Sequence, residues 1–139
     1  MPTSPAPDVL TAVHTLLKND PTLSAILVGD KVYVGVVPEG KGFPRIVLGD
    51  IGEANAPLRA VFARNSNNDD ITIHIYSQKS VMQVMTIYSR VKFLLEQAIV
   101  VVGREYIEGT ITLIGSPVEP DNITFHGVAI YAVVTRAVA

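Results

Sequence analysis

A chain of 139 residues, 48% hydrophobic and 17% charged, suits one compact domain with a real core, and a formal net charge of −2 argues against tight nucleic-acid binding, which calls for a basic surface. The absence of cysteine excludes disulfides, thiolate metal sites and a cysteine nucleophile. Charged residues fall short of the roughly one quarter usual in soluble domains, so part of the surface is expected to meet a partner, most simply further copies of the same chain.

Residues 1–7 are rich in Pro, carry no apolar segment of the secretory kind and read as an extended tail. Residues 8–139 read as a single domain. Asp8 is placed to cap a helix that runs to about Lys18, with Val9, Val13, Leu16 and Leu17 as its apolar stripe. Asn19 and Asp20 end it. Pro21 then takes the favoured first position of a short second helical turn, with Leu23, Ile26 and Leu27 inward and Gly29 as its stop.

Lys31 to Val37 is apolar and β-branched and predicts a short strand. Pro38 to Pro44, with Gly40 and Gly42, predicts a turn, and Arg45 to Ile51 a second strand. From Gly52 to Asp70 no period is visible. This stretch holds Pro57, Arg59, Arg64 and the polar cluster Asn65 to Asp70, and it is expected as a long loop of a kind that usually carries function. Within it, Leu58 to Ala63 is the part able to extend a strand.

Ile71, Ile73 and Ile75 alternate with Thr72, His74 and Tyr76, the pattern of a strand with one buried face. Ser80 starts a helix and Gln83, three residues on, completes a capping box. Val81, Val84, Met85, Tyr88, Val91, Leu95 and Ala98 form the main stripe. Met82, Ile87, Phe93 and Leu94 lie off it, so the apolar surface wraps well past one face. Burial between the sheet and the first helix, and contact with a neighbouring chain, leave the same signature.

Gly103 marks the helix end or the turn after it. Thr110 to Ile114 predicts a strand, Pro117 to Asn122 a turn, and Ile123 to Thr135 a long last strand. Phe125, Ala129, Tyr131 and Val133 share one face of that strand, and Val128, Ile130 and Val134 the other. Apolar residues on both faces predict a strand covered on each side, or one side turned to another subunit. The whole order reads as α+β: a mostly antiparallel sheet packed against one long central helix and an N-terminal helix. No apolar run approaches the ~20 residues that span a bilayer, and an intracellular soluble protein with no membrane partner is expected.

Candidate chemistry is sparse. His74 and His126 lie on strands able to pair, but a metal site asks for a third ligand and no His-x-His or HExxH spacing is present. Gly40-Lys41-Gly42 is followed by Phe43-Pro44 and a strand, where a phosphate loop would open a helix. No serine sits in a Gly-x-Ser-x-Gly elbow, and the Asn67 to Asp70 run lacks the calcium-loop pattern. No catalytic, cofactor-binding or metal residue is assigned, and no cofactor is expected. A small enzyme or ligand-binding domain with a pocket near His74 and His126 stands as the alternative from another class.

Two segments together resemble a known family. The first is Val28-Gly29-Asp30-Lys31-Val32-Tyr33, followed by Val37-Pro38-Glu39-Gly40 and Phe43-Pro44-Arg45-Ile46-Val47; the second is the Ile71 to Ser77 strand leading into Val81 to Leu95. This pattern resembles the tail completion, or tail terminator, proteins of long-tailed bacteriophages, with Lys31 where an arginine is common. The resemblance implies a virion protein without enzymatic activity. It implies a ring, typically a hexamer, that caps the head-proximal end of the tail tube, stops tube growth and joins the tail to the head–tail connector protein, with DNA passing through unbound. The implied partners are copies of itself, the tail tube protein and the connector protein, in the virion and during assembly in the host cytoplasm. A head-side adaptor or a tube-like protein is the alternative within the same particle. Arg59, Arg64, Asn67, Asp69, Met82, Ile87 and Phe93 are the expected interface residues.

Overall fold

The computed structural model describes residues 6–38, 42–55, 66–115 and 123–137. The elements follow in the order α1 (Ala6–Lys18), α2 (Pro21–Leu27), β1 (Val32–Val34), β2 (Arg45–Asn55), β3 (Ser66–Ser77), α3 (Val81–Leu95), β4 (Arg104–Gly115) and β5 (Phe125–Ala137). The strands form one five-stranded sheet in the order β1-β2-β3-β5-β4. β1 runs parallel to β2, and every other neighbouring pair is antiparallel. The α+β reading therefore stands. No single helix dominates it, however: α3 has 15 residues against 13 in α1, and it stops at Leu95 rather than continuing to Ala98.

Side-chain alternation sets the layers. Ile46 and Leu48 of β2, Ile71, Ile73 and Ile75 of β3, and Ala129, Tyr131 and Val133 of β5 point to one face and join a single buried cluster. That cluster takes in Val9, Val13 and Leu17 of α1, Leu23 and Leu27 of α2, and Val84, Ile87, Val91 and Leu95 of α3. On the opposite face Thr72, His74, Tyr76 and Val128 are half-buried and Ile130 is exposed. Of the two arrangements expected for the last strand, the described residues thus show helices on one side and a partly open surface on the other.

Local chemistry explains the element ends. Asp20 caps α2, its carboxylate accepting the Leu23 amide at 2.9 Å, with Pro21 in the first turn where a missing N–H costs nothing. The left-handed residue that closes α2 is Val28 (φ 56°), one position before the expected Gly29, which also has positive φ. Ser80 caps α3 by accepting the Gln83 amide at 3.0 Å. The reciprocal half of the expected capping box is replaced: the Gln83 carbonyl accepts the Ser77 hydroxyl at 2.6 Å, and Ser77 Oγ in turn accepts the amides of Lys79 and Ser80. The end of β3 and the start of α3 are thereby held as one corner.

The expected loop from Gly52 to Asp70 is shorter than its sequence implied. Residues 52–55 and 67–70 pair with one another as the continuation of β2 and β3, after a register shift between Gly49 and Gly52. Such a bulge breaks the alternation that marks a strand. The expected strand extension at Leu58 to Ala63, the turn at Pro117 to Asn122 and residues 1–5 of the expected tail lie outside the described residues; residues 6 and 7 of that tail instead begin α1, so Asp8 stands in the first turn of the helix and not before it as the cap. β4 likewise starts at Arg104, well before the expected Thr110, with register shifts at Tyr106/Glu108 and Leu113/Gly115.

Two long-range polar ties fix the helices. Arg90 of α3 donates from Nε and Nη2 to both carboxylate oxygens of Asp20 at 2.9 and 2.8 Å. That two-pronged pairing holds the Asp20 carboxyl below its ordinary range, helped by the Leu23 amide, against the opposing effect of burial. His14 of α1 bonds the Val32 carbonyl through Nε2 at 2.9 Å; a carbonyl only accepts, so His14 donates there. Among the described residues no helix is long and apolar enough to cross a membrane.

Candidate functional site

The seven residues expected at an interface do not form one patch. Arg59 and Arg64 lie outside the described residues. Asn67, near the start of β3, is half-buried, and its side-chain oxygen accepts from Arg104 Nη2 at 3.1 Å. Asp69 is wholly buried, directly across from Val133 on the helix-side face of the sheet. On α3 the candidates divide. Ile87 is 0% exposed and belongs to the subunit core, whereas Met82 (73%) and Phe93 (54%) stand in solvent. Met82, Thr86, Ser89 and Phe93 recur at intervals of three and four residues, so they make one stripe along the outer side of the helix. Arg90 lies over the Phe93 ring at 4.9 Å.

A more apolar surface lies where no single residue had been singled out. After α3 the chain runs without regular structure through Ile99 to Val101 and turns at Val102 and Gly103, with Ile99 and Val101 buried and Val100 (89%) and Val102 (82%) exposed. The period of two is visible in the sequence, although the run could equally end a helix. A groove of about 470 Å³ separates this segment from α1, lined by Ala12, Leu16, Leu94, Ile99, Val100 and Val102 among others. Its walls carry Asp8, Thr11, Thr15 and Gln97 as polar groups, and no cluster of acids and bases that would do chemistry.

On the open face of the sheet a row of side chains crosses three strands. Arg45 of β2 lies 4.2 Å from the Phe43 ring and 5.5 Å from that of Tyr76. Tyr76 of β3 stacks on His126 of β5 at 4.3 Å and 16°. His74 Nδ1 and His126 Nε2 are 2.8 Å apart and share one hydrogen bond. The strands expected to bring these histidines together do so. No group of three or more His, Asp or Glu side chains placed to hold a metal occurs among the described residues.

A buried phenol completes the polar inventory of the core. Tyr131 of β5 is fully buried, and its hydroxyl has no hydrogen-bond partner among the described residues. Burial pushes its pKa well above the ordinary tyrosine range, with the nearby Tyr106 adding to the shift. It is a packing group close to Gly109, not a reactive one.

The comparisons agree with a structural reading. A search of curated proteins returns no match. In fold, the chain is similar to a chain of the virion of a native gene transfer agent particle, with a TM-score of 0.74, 16% identity, and coverage of 96% of this chain and 98% of that one. At that identity the likeness is one of fold. The family model for tail completion protein gp17 matches residues 11–136, from the first helix through almost all of β5, a span that includes both segments that carry the resemblance in the sequence. The chain belongs to the tail completion protein gp17 family and is a structural protein of the phage tail.

Proposed function

We propose that this protein is the tail terminator of its particle: a closed ring, six-fold in the simplest form, that seats on the head-proximal end of the tail tube, halts tube growth and offers the docking surface for the head–tail connector. Family membership supports the tail role. The observation that carries the ring is the apolar surface left outside the subunit core, above all Val100 and Val102 beside the α1 groove and Met82 and Phe93 on α3. Exposed apolar surface of this kind marks association sites, and a head-to-tail contact between identical chains closes into a ring when its rotation permits. In this reading Arg59, Arg64 and the hairpin formed by β2 and β3 reach onto the neighbouring subunit or along the lumen. The net charge of −2 suits a channel that lets DNA pass without holding it.

Native mass spectrometry and negative-stain microscopy of the protein, alone and mixed with its tube protein, test the proposal. Rings on one end of tubes that stop lengthening are the expected result. Tubes that continue to grow by adding this chain would instead identify a tube-like subunit. A monomer indifferent to both tube and connector would end the terminator reading.

A further inference from the structure

We propose that the two margins of the sheet pair with one another between neighbouring copies, the free length of β2 on one subunit adding to β4 of the next. The inference rests on the ring reading above and names the backbone edges that close the ring. β4 is an edge strand of 12 residues. Between its two register shifts, Glu108 to Leu113 pairs regularly with β5, so the outer side of that run presents a straight row of backbone N–H and C=O groups. Long edges are ordinarily guarded by Lys or Pro. Gly109 to Gly115 reads Gly-Thr-Ile-Thr-Leu-Ile-Gly, without charge or proline. At the opposite margin β1 has 3 residues and covers only Ile46 to Leu48. From Gly49 to Asn55, β2 has β3 on one side and, among the described residues, no strand on the other.

Register matches the two edges. Gly49 stands opposite Thr72, Thr72 opposite Ile130, and Ile130 opposite Thr112; Ala54 leads by the same steps through Asn68 and Val134 to Glu108. The free length of β2 therefore lies at the height of the regular run of β4, on the other side of the same sheet. Each step from β2 through β3 and β5 to β4 is antiparallel, so β4 runs against β2. A second copy set beside the first, with its strands pointing the same way, continues the ladder in the antiparallel sense already present. Two different edges meet, which makes the contact heterologous. Rotation from copy to copy then closes it into a ring with both edges satisfied in every subunit. Pairing of β4 with the β4 of a second copy would stop at a dimer and leave the β2 edge open.

Disulfide trapping in rings assembled with the tube protein tests the pairing, since the chain has no cysteine of its own. A Cβ at Gly49 meets nothing within 4 Å, and Thr110, Thr112 and Ile114 are exposed at alternate positions of β4. Opposed residues of an antiparallel ladder stand close enough to bridge. Gly49→Cys combined with one of Thr110→Cys, Thr112→Cys or Ile114→Cys should give, on oxidation, covalent ladders up to the full ring, and no single variant should. In wild-type rings the β4 amides that face away from β5 should exchange at least about ten-fold more slowly than in the separated subunit. Unchanged exchange overturns the pairing, a readout that holds even if a variant fails to fold. Rings that cross-link in none of the combinations overturn it too, while leaving the ring itself standing. Dimers from Thr112→Cys alone overturn it in favour of β4 meeting β4. Failure of the wild-type chain to form rings in native mass spectra overturns the ring reading, and this inference with it.

Discussion

Gly127 on β5 lies directly beneath Val84 on α3: a Cβ placed on the glycine would fall 2.5 Å from Val84 Cγ1. Non-bonded carbons do not approach so closely, so a side chain at this position would force Val84 or the whole of α3 to shift. Gly127→Ala should destabilise the subunit by about 1–3 kcal/mol through overpacking. Val84→Ala opens the space the new methyl needs. The double variant should therefore lose less than the sum of the single losses, and urea denaturation of all four proteins measures that coupling. Additive losses would show that α3 shifts freely and that the close approach has no role.

Val28 carries a backbone conformation that suits it poorly. It closes α2 with φ 56° and ψ 58°, the left-handed region that β-branched residues avoid, while its side chain is exposed. Val28→Gly removes the steric cost and gives up little burial. It should raise stability by about 1 kcal/mol, seen as a higher melting temperature. An unchanged or lower melting temperature would mean that the left-handed cap is not strained in solution.

Legibility followed periodicity closely. Ile71 to Ile75 and the stripes of α1 and α3 were readable because each buries one face against the same core. The extensions of β2 and β3 were not. Gly49 and Gly52 bracket a register shift, and Asn67 to Asp70 is polar on both faces, so alternation fails on both strands of the ladder at once. The β4 start was hidden the same way by the shift at Tyr106/Glu108. For Ile87 the sequence leaves burial in the subunit and contact with a neighbour equally open, and the structure buries it because a helix flanked by α1, α2 and the sheet covers a wider arc than one stripe. Pairing of the strands that carry His74 and His126 was readable, but the 2.8 Å approach depends on register, which no pattern in either strand specifies.

The Asp20–Arg90 pair makes stability depend on acid. Asp20 has its pKa lowered in the folded state, first by the Arg90 hydrogen bonds. Its contribution is therefore fully present above the unfolded aspartate value of about 3.9, and it is lost as pH falls through the folded value. Asp20→Asn keeps a good helix cap but removes the charge. The stability gap between wild type and Asp20→Asn, from urea midpoints, should be constant from pH 7 to pH 5 and shrink below pH 4. A gap of the same size at pH 2.5 would show that the ion pair is not its source.

Ile87 and Met82 offer a clean separation of folding from assembly on one helix. Ile87 is wholly inside the subunit, so Ile87→Ala should cost about 2–5 kcal/mol of stability in the isolated chain. Met82 stands 73% exposed, and Met82→Glu should change isolated-chain stability by no more than about 0.5 kcal/mol. Phe93→Glu also gives up the ring under Arg90 and should cost slightly more, about 0.5–1 kcal/mol. If the outer stripe of α3 meets a neighbouring subunit, both glutamate variants melt close to wild type yet fail to form rings in native mass spectra. Val102→Glu, beside the α1 groove, applies the same reasoning to the second apolar surface. A defect in ring formation with Val102→Glu alone would move the interface to the groove. Normal rings in all three would leave the exposed apolar surface without a part in assembly.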